Sequence, residues 1–124
     1  MAVVEQDMSG LGCAALSADE MGERAADAAA FLKALSHEGR LMILCHLSSG
    51  EKSVTTLEEL LGTRQAAVSQ QLARLRSEGL VAARRDGKAI YYSILDPKAG
   101  AIMALVYEMF CGPEAARPGP VDPL

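Results

Sequence analysis

Residues 54–88 read VTTLEELLGTRQAAVSQQLARLRSEGLVAARRDGK, and the period of the apolar residues changes once along that stretch. Val54 to Leu61 has the pattern of a short helix, with Thr55 or Thr56 as its cap and Gly62 at its end. A second helix opens after Thr63 and runs to about Glu78, with Ala67, Val68, Leu72 and Leu75 on its apolar side and Gly79 closing it. From there the residues turn to β-formers. Leu80 to Arg84 and Lys88 to Leu95 read as two strands, and the Asp86-Gly87 pair between them is a strong hairpin signal. A short helix, a tight turn, a second helix and a hairpin make a winged helix-turn-helix.

Working outward, Ser17 followed by Glu20 is a capping box, and the alanine-rich residues after it have high helix propensity, so a first helix is expected from Ala18 to Leu35. Another begins near Ser36 or His37, presents Leu41, Leu44, Cys45 and Ser48 on one face, and stops at Ser49-Gly50. After the hairpin, Asp96 caps a last helix with Pro97 in its first turn and an apolar stripe of Ile102, Leu105, Val106 and Met109. That stripe suits either a dimer interface or the domain's own core. The expected fold is mainly α with a β-hairpin wing: four helices, two strands and a fifth helix, in one domain over residues 17–111. Residues 1–16, without a sustained period, and 112–124, holding four of the five prolines, read as disordered tails.

The net charge of -4 argues against nucleic acid only if it is evenly spread. Residues 1–30 carry -5, 31–61 carry -1, 62–98 carry +4 and 99–124 carry -2. The positive segment coincides with the helix-turn-helix and wing, the footprint expected of a duplex binder. Arg64, Gln65, Ser69 and Gln70 stand near the start of the second helix of the pair, where Gln suits adenine and Arg suits guanine in the major groove. Arg74, Arg76 and the wing residues Arg84, Arg85 and Lys88 suit phosphates. A helix at each end of so small a module points to a homodimer on a two-fold operator, because one module alone buries too little surface for selectivity.

Other classes find little support. The longest apolar stretches are under half a membrane span, and no basic residue precedes Arg24, which argues against a secretory or transit peptide, so a cytoplasmic protein with reduced thiols is expected. Catalysis has one neighbouring thiol and imidazole, Cys45 and His46, whose side chains diverge by about a hundred degrees on a helix. No glycine-rich phosphate loop or paired-carboxylate motif is present, and no cofactor is expected.

The stretch Ala34-Leu35-Ser36-His37-Glu38-Gly39-Arg40-Leu41-Met42-Ile43-Leu44 resembles the opening of the ArsR/SmtB family of bacterial repressors. Residues 65–81 are similar to that family's recognition helix, and 84–88 with Tyr91-Tyr92 to its wing. The resemblance spans roughly residues 20–110. It implies a homodimer, joined through the first and last helices, that binds a pseudo-palindromic operator and releases it when an inducer alters the dimer. Gln71 stands where many members have His, a departure that bears on operator preference.

Three cysteines, 13, 45 and 111, are the candidate sensors. The residues 57–61 hold no cysteine of the arsenic and cadmium sensors, and the final helix lacks the His and Asp ligands of the zinc sensors. The two histidines, 37 and 46, have no paired-ligand spacing and read as structural, so no metal site is expected. A metal- or general redox-sensing repressor, using Cys45, His46 and Cys111 as a partial thiolate site, is the alternative. One Cys in the second helix and one closing the last resembles the persulfide-sensing branch of the family, of the SqrR and BigR kind. That resemblance implies that Cys45 and Cys111 become joined by a disulfide or polysulfide bridge on meeting persulfide or polysulfide inducers, with Cys13 accessory. The bland reading of each is a small buried hydrophobe.

Overall fold

The computed structural model describes residues 16–62 and 65–112; Cys13, Arg64 and, apart from residues 16 and 112, both expected tails lie outside them. The elements are α1 (Ala18–Leu35), α2 (Glu38–Leu47), β1 (Lys52–Ser53), α3 (Val54–Leu61), α4 (Gln65–Ser77), β2 (Val81–Asp86), β3 (Ala89–Ile94) and α5 (Pro97–Cys111). This is the expected winged helix-turn-helix order with one addition. The two residues of β1 pair with β3, Lys52 opposite Tyr92 and Ser53 opposite Tyr91, so the wing is a three-stranded antiparallel sheet in the order β1-β3-β2.

The chain divides between Lys33 and Ala34 into two units. In the first, α1 opens on the expected capping box. Glu20 Oε1 accepts from the Ser17 backbone N–H at 3.0 Å, and Ser17 Oγ accepts from that of Glu20 at 3.1 Å. Each bond satisfies a backbone donor that the first turn leaves open.

The second unit has a core in which Ile43 and Leu44 of α2, Leu57 of α3, Val68, Leu72 and Leu75 of α4, and Leu80 and Val81 are buried. The buried face of α2 is not the expected one. Ile43, Leu44 and Leu47 point inward, Leu41 is half-buried, and Cys45 and Ser48 are exposed. On α4, Ala67 is exposed while the other three expected residues are buried. The apolar stripe of α5 is divided between two roles. Ala99 and Met103 fill the core, Ile102 and Val106 are half-buried, and Leu105, Met109 and Phe110 remain 51%, 58% and 73% exposed.

The local start and stop signals act as their chemistry dictates, with two shifts. Asp96 caps α5 by accepting from the Lys98 N–H at 2.9 Å, with Pro97 in the first turn. The cap of α3 is Ser53, not Thr55 or Thr56, and its Oγ accepts from the Thr56 N–H at 3.0 Å. The hairpin closes one residue later than expected: Asp86 pairs with Ala89, which leaves Gly87 and Lys88 as the two-residue loop. Gly87 adopts φ +65°, a left-handed conformation that costs glycine little. No helix among the described residues is long and apolar enough to cross a membrane.

Candidate nucleic-acid interface and thiol pair

α3 ends at Gly62, whose φ is +63° and whose N–H donates to the Glu58 carbonyl at 2.9 Å. Burial of Val68, Leu72 and Leu75 then turns the opposite side of α4 outward. Ser69 and Gln70 are exposed there, flanked by exposed Ala66 and Ala73, short side chains that leave the helix free to approach a surface closely. Gln65 is the first residue of α4 and stands one turn before Ser69. Arg74, further along, forms an exposed pair with Glu78 at 3.1 Å.

On the wing, the strand alternation sends the three cations to different tasks. Arg84 donates twice to Glu51, from Nε at 2.9 Å and from a terminal nitrogen at 2.7 Å, and its guanidinium lies 4.8 Å from the centre of the Tyr91 ring. It braces the wing against the segment before β1. Arg85 and Lys88 are exposed and make no ion pair among the described residues. Between the start of α3, α4 and β3 lies a cleft of about 430 Å³ whose lining residues include Ser53, Thr55, Ser69, Tyr91 and Lys88. Hydroxyls beside one ammonium can seat a phosphate. Thr55 was not legible as part of this face, because nothing in its spacing marks a cleft built by residues far apart in sequence.

The hydrogen bonds from Arg84 hold the Glu51 carboxyl below the usual carboxylate range. A carboxylate stabilised in its ionised form by folding contributes stability above its ordinary value and loses it as pH falls through the lowered one. The pair is exposed, so salt weakens it. Glu51→Gln is therefore expected to raise hydrogen exchange of the β2 and β3 amides at neutral pH and low salt. The difference from the parent should vanish in acid, once Glu51 is protonated in both states.

Gln71 does not face outward. Its Oε1 accepts from an Arg40 guanidinium nitrogen at 3.2 Å, its Nε2 lies 3.4 Å from His37 Nε2, and Arg40 Nε donates to the Ala34 carbonyl at 2.6 Å. Gln71 thereby ties α4 to the start of α2. Gln71→Leu is expected to cost about 1 kcal/mol of stability. Binding should weaken by a common factor on cognate and random duplexes, measured by titration on both.

Cys45 lies on α2 and Cys111 closes α5; both are exposed and unpaired, so neither is the small buried hydrophobe of the bland reading. The two helices pack against each other. Tyr107, one helical turn before Cys111, lines the same hollow as Cys45. Among the described residues no group of three or more His, Cys, Asp or Glu side chains is arranged to hold a metal ion, so the alternative of Cys45, His46 and Cys111 as a metal site is not assembled there.

Residues 37–83 match the family described as bacterial regulatory protein, arsR family. The chain is 45% identical over 94 residues to the biofilm growth-associated repressor of Agrobacterium fabrum, covering 76% of this chain and 80% of that one. Among solved structures, the transcriptional repressor BigR from Xylella fastidiosa superposes with a TM-score of 0.71 at 42% identity, over 77% of this chain and 98% of that one. Reduced HlyU from Vibrio cholerae gives a TM-score of 0.73 at 38% identity, over 75% and 98%.

Proposed function

Because the chain belongs to the arsR family of bacterial regulatory proteins, and so is a DNA-binding transcriptional regulator and not an enzyme, we propose that it is a homodimeric repressor whose Cys45 and Cys111 sense persulfide or polysulfide. Sulfur bridging of the two thiols releases the operator, with genes of sulfide oxidation or sulfur metabolism as the expected targets. The observation that carries this reading is the placement of two unpaired, exposed thiols on two helices that pack together. The relatives support its setting. One is named a biofilm growth-associated repressor, another is the repressor BigR, and HlyU has been described in a reduced form.

The chemistry balances with an inducer that brings its own oxidising equivalent. One thiolate attacks the outer sulfur of a persulfide, forming a protein persulfide as the donor's S–S bond breaks and the donor leaves as a thiolate. The second thiolate attacks the sulfur bound to the protein and expels hydrosulfide, so the dithiol is oxidised by two electrons and the transferred sulfur is reduced. Longer donors leave sulfur atoms in the bridge. A direct disulfide needs Cα atoms within about 7 Å, and inserted sulfurs relax that limit.

The exposed Leu105, Met109 and Phe110 of α5 supply an apolar surface for the second copy. Two recognition helices then address half-sites about 34 Å apart on one face of the duplex. A bridge between α2 and α5 ties the domain that carries α4 to the dimer helix, so it alters the spacing of the two α4 helices. Full release needs a difference in affinity of about 10⁴-fold between the states. The test is an operator titration with the reduced dimer at several salt concentrations, repeated after polysulfide. A steep salt dependence, loss of binding on treatment and recovery with dithiothreitol are expected. Binding insensitive to salt, or a treated protein that binds as before, would sink the proposal.

A further inference from the structure

Cys45 lines a hollow of about 730 Å³ that opens between the end of α2, the segment that follows it, β3 and α5. Leu47, Ile94, Met103, Ala104 and Tyr107 make its wall mainly apolar. The one charged side chain lining it is Glu51, whose carboxylate is already held by Arg84.

Gly100 bears on what the hollow is for. It lies in the second turn of α5, where glycine is a poorer helix former than alanine, and it also lines the hollow. A Cβ at that position meets nothing within 4 Å, and Gly100 is not among the glycines with positive φ. Neither crowding nor backbone conformation requires glycine there. What its missing side chain does is leave the hollow that Cys45 also lines more open.

We propose that the hollow seats the organic group of a hydropersulfide, an R–S–SH in which R is an uncharged alkyl or aryl group. This rests on the reading of Cys45 as a sensing thiol and adds which donor it takes and which cysteine reacts first. The volume is in the usual range for small-molecule sites, whereas a short inorganic polysulfide would fill little of it. A donor carrying several carboxylates would have to desolvate them against an apolar wall that has no free cation among its lining residues. Once R is seated, the Cys45 thiolate attacks the outer sulfur. The Sγ–S bond forms, the donor's S–S bond breaks, and R–S⁻ leaves with the electron pair while the outer sulfur keeps its hydrogen as Cys45–S–SH. Cys111, one turn beyond Tyr107, then attacks Sγ of Cys45 and expels HS⁻.

The test uses the full chain with Cys13→Ser and Cys111→Ser, which leaves Cys45 as its only thiol. Uptake of one sulfur is followed by intact mass with benzyl hydropersulfide, glutathione hydropersulfide and sodium disulfide. Benzyl hydropersulfide should react faster than the glutathione donor. Gly100→Leu, which fills the hollow with a better helix former, should slow the benzyl donor by about tenfold and leave the sodium disulfide rate unchanged. Ala104→Leu, filling the hollow from the next turn, should repeat that split, and Gly100→Ala should stay near the parent. Equal slowing of both donors, no slowing of either, or a changed dimer dissociation constant in Gly100→Leu would overturn the donor seat while leaving the sensing thiol standing. Failure of Cys45 to take sulfur from any of the three donors would overturn the sensing reading itself.

Discussion

Cys45→Ser and Cys111→Ser are each expected to bind the operator as the parent does and to remain bound after polysulfide treatment that releases the parent completely. Both thiols are exposed, so serine in either place removes little packing and leaves the core of Ile43, Leu44 and Leu47 on α2 intact. The two variants should differ in chemistry. With Cys111 gone, Cys45 can take up sulfur but has no partner thiol on α5; with Cys45 gone, no bridge between α2 and α5 can form. A ligand shifts an equilibrium only through its differential affinity for the two states, so a sulfur atom on one helix that links nothing should leave operator affinity near that of the reduced protein. Cys13→Ser should respond like the parent. Fluorescence anisotropy of a labelled operator before and after treatment gives all of these results. Release of either Cys45→Ser or Cys111→Ser by polysulfide would remove the bridge from the mechanism.

Substitutions on α4 and the wing should separate reading from gripping. Gln65→Ala and Ser69→Ala act at the start of α4, of which Gln65 is the first residue and on which Ser69 is exposed. Each lost base contact is expected to cost about 1–3 kcal/mol on the cognate duplex and little on a random one, which relaxes specificity at the base it served. Arg85→Ala removes an exposed wing cation and should weaken binding by a similar factor on every sequence, with the salt slope falling by about one. Arg84→Ala differs in kind. Arg84 is occupied with Glu51 and the Tyr91 ring, so its loss should loosen the wing, visible as faster exchange of the β2 and β3 amides. Matching losses on cognate and random duplex for Gln65, Ser69 and Arg85 would overturn the division between base and phosphate contacts.

What the sequence made legible was local. The Ser17-Glu20 box and the Asp96-Pro97 start are patterns within four residues, and both form as the residue chemistry requires. The inner face of α2 was misread because the helix is apolar on several sides: Leu41, Met42, Ile43, Leu44 and Leu47 follow nearly without interruption. Periodicity cannot choose a face there, and packing against α4 and α5 does. The same packing left Cys45 at the surface. The strand β1 was invisible because two residues carry no period; only their pairing with Tyr91 and Tyr92 defines them. The tasks of Arg84 and Gln71 depend on Glu51 and Arg40, residues more than thirty positions away in each case, and no spacing rule reaches that far. The proposed DNA face could be picked out because a charge excess lies along one contiguous segment, while the cleft of Thr55, Ser69 and Tyr91 emerges only after α3, α4 and β3 are folded together.

The central claim is that a sulfur bridge between Cys45 and Cys111 is the event that frees the operator. Intact and peptide mass analysis of the parent chain, taken from the same samples whose operator release is being followed, tests it directly. The account predicts that release tracks the appearance of peptides containing Cys45 and Cys111 joined through two or more sulfurs, and that dithiothreitol reverses both together. Release while both thiols still react fully with an alkylating reagent, or while sulfur is confined to Cys13, would contradict it.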